Sequence, residues 1–266
     1  MGDYQNIETS FSRLEHDRLR FLTFNSPALG GDRGDVTIFI PPLELQSRNL
    51  PLIVLLHGVY GSHWSWAFNG GAHRTALEMM QSGAIRPMVI AMPSDGLRGA
   101  GSGYLPLRSG DFERWIIKDV VSCVVQVVRA LGPESKLFLA GLSMGGYGAL
   151  RLGSKYAQRV SGISAHSAFT HPNQTRLYAD IVTELQDVPN EELDVLHWMK
   201  RNRDILPPLR FDCGREDQFI EPNRKLHHDL QAAGIPHVFS EFDGGHSWAY
   251  WEQHLRDTLA FFDRLA

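Results

Sequence analysis

Apolar positions along this chain gather into short dense runs, separated by longer stretches where they recur every three or four residues. The short runs are "RLRFLTF" (18–24), "DVTIFI" (35–40), "LIVLLH" (52–57), "MVIAM" (88–92), "KLFLAG" (136–141), "VSGISA" (160–165), "LRFDC" (209–213) and "HVFSEF" (237–242). They are strand-like in length and rich in branched residues. Several are continuously apolar, as expected for parallel strands buried on both faces. Helical spacing is read over 72–81, 111–131, 145–155, 191–202, 221–233 and 248–264. In 111–131 the apolar series is Ile116, Val120, Cys123, Val124 and Val127. Its valine content suits a strand as well, and its length of about 20 residues decides for helix.

Strands that alternate with helices imply right-handed crossovers and a mostly parallel, twisted sheet, here of about eight strands with helices on both faces. The turn-rich "NSPALGGDRGD" between the first two runs contains no helix, which predicts an antiparallel entry. The alternation suits a single α/β domain over 1–266. It is interrupted only at about 166–207, where one clear helix lies in irregular chain. A long insertion of this kind is either a lid beside a ligand site or a connection that covers a sheet edge.

Charge and composition narrow the picture. The formal net charge is −4 and no long basic run occurs, so nucleic acid and anionic membrane are poor partners. No apolar run approaches the roughly 20 residues that span a bilayer. The N-terminal "MGDYQN" has neither an apolar h-region nor the Ser or Thr of a myristoylation signal. Two cysteines, Cys123 and Cys213, read as free buried thiols, and the expected location is cytoplasmic.

Candidate chemistry centres on "AGLSMGGYGAL" (140–150). The pattern Gly-x-Ser-x-Gly occurs once, as Gly141-Leu142-Ser143-Met144-Gly145, with a strand pattern before it and a helical pattern after it. That is the setting of a nucleophile elbow, where glycines leave room around a strained serine and a helix N-terminus faces the developing oxyanion. A serine needs a base. In such sheets the catalytic groups follow the strands in the order serine, acid, histidine. After the last strand run the chain reads "DGGHSWAYW", which makes His246 the candidate base. After the preceding strand run, "GREDQFIEP" offers Glu216 and Asp217, and Asp217 is preferred as the deeper of the two in the loop. Oxyanion donors are expected from the backbone N–H of Met144 and of Val59, in the loop "HGVYG" after the third strand run. His57 is expected to stabilise that loop. Trp64 and Trp66 either line an acyl pocket or simply pack, and Phe219 and Trp248 complete the candidate substrate-binding aromatics.

Other chemistries fit less well. His57, His63 and His73 lack the i, i+4 spacing of a metal site, and no HExxH or CxxC occurs. No dinucleotide or Walker fingerprint is present, so neither a metal nor a cofactor is expected.

The stretches "NSPALG", "VTIFIPP", "LLHGVYGSHWSW", "MPSDG", "GLSMGGYGAL", "DCGREDQF" and "GGHSWAYW" resemble the esterase D-like and tributyrin-esterase-like branch of the α/β-hydrolase superfamily, carbohydrate esterase family 1 among it. The resemblance covers nearly the whole chain. It implies an α/β-hydrolase fold and a cofactor-free serine carboxylesterase acting on small-molecule esters of short acyl groups, acylated sugars among them. It also implies a triad of Ser143, Asp217 and His246 with oxyanion donors at Val59 and Met144. The branch includes acyltransferases and S-formylglutathione hydrolases that use the same triad. The latter resemble "SGLTC" where this chain has "HGVYG", which disfavours that activity here.

Overall fold

The computed structural model describes residues 4–42, 48–96, 98–185 and 188–266. Its strands are β1 (Gln5–Thr9), β2 (Leu19–Asn25), β3 (Arg33–Phe39), β4 (Leu52–Leu56), β5 (Val89–Pro93), β6 (Pro106–Leu107), β7 (Gly110–Asp111), β8 (Leu137–Leu142), β9 (Gly162–His166), β10 (Leu209–Gly214) and β11 (Val238–Phe242). Nine form one sheet in the order β1-β2-β3-β5-β4-β8-β9-β10-β11, while β6 and β7 make a separate small ribbon. Pairings from β1 to β5 through β2 and β3 are antiparallel, and those from β5 across to β11 are parallel. The helices are α1 (Ser65–Phe68), α2 (Ala72–Gln81), α3 (Phe112–Arg114), α4 (Val121–Val127), α5 (Met144–Lys155), α6 (Leu177–Ile181), α7 (Val195–Arg201), α8 (Ile220–Ala232) and α9 (Trp248–Asp263).

The continuously apolar runs are the buried centre of the sheet. Every residue of β4, β5, β8, β9 and β10 is buried. Along β4, Leu52, Val54 and Leu56 point into one core while Ile53 and Leu55 point into the other, the two-residue period of a strand covered on both sides. The first core is closed by α4, α5 and α8, the second by α2 and α9, where Phe138 stacks on Phe262 at 4.6 Å.

Besides the short α1, α6 and the β6–β7 ribbon, which the pattern did not reveal, three departures from it have a visible cause. β1 was not expected, since "QNIET" has no apolar alternation. It is held by ladder pairing to β2, with Gln5 opposite Asn25 and Thr9 opposite Leu22, and it raises the strand count from about eight to nine. The helix expected over 111–131 runs from α3 through a π-helical turn (Trp115–Val120) to α4 and stops at Val127, because Val128 is extended. The π turn carries two buried anchors: Trp115 Nε1 donates to the Ser94 carbonyl at 2.8 Å, and Asp119 accepts from the Ser26 hydroxyl at 2.6 Å and the Ala28 N–H at 3.1 Å. The helix expected over 191–202 is a 3-10 turn (Asn190–Leu193) followed by α7, because Asp194 is extended and caps the Leu196 N–H at 2.9 Å. The 3-10 turn is tied to α5 through Tyr147, whose hydroxyl donates to the Leu193 carbonyl at 2.8 Å.

The chain leaves β4 toward β5 on one side and later returns to β8 on the other side of β4. The carboxyl ends of β4 and β8 therefore flank the point where the strand order reverses, the crevice where open α/β sheets carry their ligands.

Candidate active site

Ser143 occupies the single residue between β8 and α5, with φ 53° and ψ −116°, a region costly for any residue with a Cβ. Its surroundings enforce the turn. A Cβ on Gly141 would lie 2.3 Å from the Gly145 carbonyl oxygen, and one on Gly145 would lie 2.2 Å from that of Leu56. No other residue fits at either place. The Ser143 N–H donates to the His166 carbonyl at 2.9 Å, and its own carbonyl opens α5 by accepting from the Tyr147 N–H at 3.0 Å.

Two strands further along the sheet, β10 and β11 end in the loops that carry Asp217 and His246. The structure brings these side chains to Ser143: His246 Nε2 lies 3.0 Å from Ser143 Oγ, and His246 Nδ1 lies 2.9 and 3.1 Å from the two Asp217 oxygens. A carboxylate only accepts, so Nδ1 carries the ring proton. In the neutral ring Nε2 is then left to accept from the Ser143 hydroxyl. Asp217 is buried, which pushes its pKa up. The bonds from His246 and from the Phe219 N–H (2.9 Å to Oδ1) outweigh burial and hold the carboxyl below the usual carboxylate range, so it is ionised. Phe219 and Trp251 set their rings edge-on to the His246 ring at 5.3 and 4.9 Å and fix its plane. The other acids near this loop are engaged elsewhere. Glu216 accepts the Gly244 N–H, and Asp243 pairs with Arg215 at the surface.

The loop after β4 lies against Ser143 from the other side. His57 is buried, and its Nδ1–H donates to the Gly58 carbonyl at 2.7 Å. That carbonyl belongs to the peptide unit whose N–H is that of Val59, so His57 holds the unit from its far end. Nε2 of the same ring faces Asp95 at 3.6 Å, and Asp95 in turn accepts from the N–H and hydroxyl of Ser102. The Met144 N–H, at the first position of α5, has no intrahelical acceptor.

Ser143 and His246 form the floor of a cavity of about 210 Å³ with walls of Val59, Leu142, Trp248 and Trp251. Of the candidate substrate-binding aromatics, Trp248 faces this cavity. Phe219 touches His246 and lines a neighbouring hollow of about 500 Å³ with Gln174, Thr175 and Arg176. Trp64 and Trp66 line neither. Trp66 is buried because its indole N–H donates to the Leu56 carbonyl at 2.8 Å, which draws the ring behind Trp248, and Trp64 is exposed beside α1. Trp251 escaped the sequence reading. The i, i+3 spacing of Trp248 and Trp251 just past His246 was the available signal for Trp251.

A second histidine–aspartate pair lies beneath the site. His166 Nδ1 meets Asp212 at 2.9 Å and its Nε2 meets Thr258 Oγ1 at 2.8 Å, while Tyr250 and Arg210 also bond Asp212. All five residues are buried, and the cluster joins β9, β10 and α9 in the interior. The three histidines first weighed as metal ligands are dispersed: His57 faces Asp95, His63 bonds Thr37 Oγ1 at 2.7 Å, and His73 lies 3.8 Å from Asp17. Among the described residues no three His, Cys, Asp or Glu side chains are grouped to hold a metal, and no helix is long and apolar enough to cross a membrane.

Comparison with known proteins bears on the family and the fold. The model of the Esterase family, described as "Putative esterase", matches residues 26–262. An acetyl esterase of Caldicellulosiruptor saccharolyticus is 28% identical over 244 residues, covering 84% of this chain and 87% of that protein. An esterase of Mycobacterium tuberculosis is 26% identical over 88% of this chain, and the chain spans 57% of that protein's length. In fold, the chain is similar to a ferulic acid esterase (TM-score 0.80, 23% identity, 93% of this chain and 98% of that one). It is likewise similar to an S-formylglutathione hydrolase from Agrobacterium tumefaciens (TM-score 0.81, 17% identity, 98% and 99%).

Proposed function

The chain belongs to the Esterase family and is a carboxylic ester hydrolase, and on that premise we propose that Ser143, His246 and Asp217 are its catalytic triad and that small esters of short acyl groups are its substrates. One observation carries the reading: an unbroken hydrogen-bond chain from Ser143 Oγ through both nitrogens of His246 to an ionised, buried Asp217.

The steps follow from that chain. His246 Nε2 takes the hydroxyl proton as Ser143 Oγ attacks the ester carbonyl, and Asp217 stabilises the imidazolium that forms. The carbonyl oxygen, now an oxyanion, accepts from the N–H groups of Val59 and Met144. His246 returns its proton to the leaving alcohol as the carbon–oxygen bond breaks, leaving an acyl group on Ser143. A water then gives its proton to His246 and attacks the acyl carbon. Ser143 Oγ leaves with that proton, and the carboxylic acid is released. No cofactor takes part in any step. The short acyl range is supported by the 210 Å³ cavity and by the acetyl esterase relative. The hollow beside Phe219, rimmed by Gln174, Thr175 and Arg176 from the insertion at 166–207, suits a polar alcohol such as a sugar. Residues 174–176 of that insertion accordingly close the alcohol side of the site in a single-domain enzyme.

The deciding experiment is Ser143→Ala. Its esterase turnover is expected to fall on the order of 10⁴- to 10⁶-fold, with loss of labelling by a fluorophosphonate probe that marks the wild type. Retained hydrolysis would refute the assignment.

A further inference from the structure

Residues 100–104, "AGSGY", have no part in the triad, yet they grip the loop after β4 on both sides of its Gly58–Val59 peptide. Tyr104 is fully buried and stands at φ 55°. This is the left-handed region, which a residue with a Cβ keeps only where its surroundings over-determine it, and such residues gather at functional sites. Its N–H donates to the Ser102 hydroxyl at 3.1 Å. Its own hydroxyl donates to the His57 carbonyl at 2.9 Å. The ring packs so closely on α5 that a Cβ on Gly148 would lie 2.6 Å from it. Four residues earlier, the Ala100 carbonyl accepts from the Tyr60 N–H at 2.9 Å. The peptide between Gly58 and Val59 therefore lies between two peptide units that one segment holds: 57–58 through Tyr104, and 59–60 through Ala100. Ser102 anchors the segment, since its N–H and hydroxyl both donate to the buried Asp95, at 2.7 and 3.1 Å. The same segment packs on Met144, because a Cβ on Gly101 would lie 2.6 Å from Met144 Sδ.

We infer that Tyr104 is a positioning residue for the oxyanion loop: its hydroxyl, together with the Ala100 carbonyl, clamps the peptide units on either side of Gly58–Val59 and so fixes the Val59 N–H for the carbonyl oxygen of the ester. The inference rests on the triad and donor reading above. His57 holds the same Gly58–Val59 peptide by its carbonyl. Tyr104 and His57 thus share one task, and their losses overlap.

Tyr104→Phe removes only the hydroxyl and keeps the ring. The assay is p-nitrophenyl acetate hydrolysis, with kcat expressed per site counted by stoichiometric fluorophosphonate labelling. A variant that is merely less stable loses sites and keeps its kcat per site. Tyr104→Phe is instead expected to lose about tenfold in kcat per site with KM unchanged. His57→Ala is expected to lose about as much, and the double variant less than about thirtyfold, well short of the roughly hundredfold loss that independent roles give. A wild-type kcat per site in Tyr104→Phe, or the full hundredfold loss in the double variant, overturns the inference. Ser143→Ala, assayed alongside, tells the two failures apart. If it is inactive while Tyr104→Phe keeps wild-type kcat, only the role of Tyr104 is lost. If it stays active, the triad reading falls and this inference with it.

Discussion

In the proposed reaction Ser143 supplies the attacking atom, and His57 holds the peptide unit that is the proposed source of an oxyanion donor. The Gly58 carbonyl accepts from His57 Nδ1 at 2.7 Å and from the Gly61 N–H at 3.1 Å, so this peptide is restrained at its oxygen. Its orientation is therefore set before substrate arrives, as electrostatic preorganisation requires. Removing one oxyanion donor outright costs on the order of 10²- to 10³-fold in kcat, and releasing its support costs less. His57→Ala is accordingly expected to lower kcat about tenfold with little change in KM, and His57→Asn, which keeps a donor near the carbonyl, to recover part of it. Equal loss in both variants would mean that the ring acts only through its bulk. Asp217→Asn is a stronger perturbation. An amide at that place leaves the His246 tautomer unenforced, and kcat is expected to drop about 10⁴-fold with KM nearly unchanged in steady-state assays.

At the scale of elements, α5 does more than open with the nucleophile. Arg151, fully buried on it, donates to Glu113 at 2.6 Å and to the Glu192 carbonyl at 2.8 Å, while Lys155 reaches Glu113 at 2.8 Å. One ion cluster thus ties α5 to α3 and to the 3-10 turn that precedes α7. Burial pushes the Glu113 pKa up, and Arg151 and Lys155 outweigh it, so the carboxyl lies below its usual range. A depressed folded value contributes stability that is complete above the unfolded value, near 4.3, and is lost as pH falls through the lower folded one. Arg151→Met, which leaves Glu113 buried with only Lys155 and the Tyr156 hydroxyl as partners, is expected to cost about 3 kcal/mol by urea unfolding at neutral pH. Adding Glu113→Gln should restore much of that cost and flatten the acid dependence below pH 4. Additive losses in the double variant would contradict the pairing. These long-range ties mark the limit of what the sequence makes legible. The elbow could be read because its sterics print glycines at fixed spacing around Ser143. That His246 and Asp217 would gather at Ser143 could be read because the groups of such a site follow the strands. The place of Trp251 could not, because it is held where residues 84 positions apart meet, its indole N–H donating to the Ser167 hydroxyl. β1 stayed hidden because Ile7, its one apolar residue packed on the first core, gives no alternation to read, and ladder pairing to β2 does the rest.

Across the whole molecule the sheet decides what the site can admit. The crevice opens where β4 and β8 diverge. From there the loops after β4, β8, β10 and β11 converge, and α9 brings Trp248 and Trp251 over the cavity. Trp248 is braced from behind by Trp66 at 5.6 Å and from the side by Trp251 at 5.2 Å, both nearly perpendicular to it, so this wall is stiff. A dry cavity of about 150 Å³ holds a benzene ring, and the present one of about 210 Å³ is only moderately larger. Each further methylene buried in it gains about 0.8 kcal/mol, or roughly fourfold in kcat/KM, until the chain meets the tryptophan wall. In a p-nitrophenyl ester series, activity is therefore expected to peak between acetate and hexanoate and to fall steeply by octanoate. Trp248→Ala removes the wall but leaves Ser143, His246 and the oxyanion loop in place. Its optimum should move toward longer chains, with octanoate gaining relative to acetate by at least about tenfold. If the wild type already prefers octanoate, or the variant's profile merely scales down, Trp248 does not bound the acyl site and the acyl chain must leave Ser143 by another path, most directly the hollow beside Phe219.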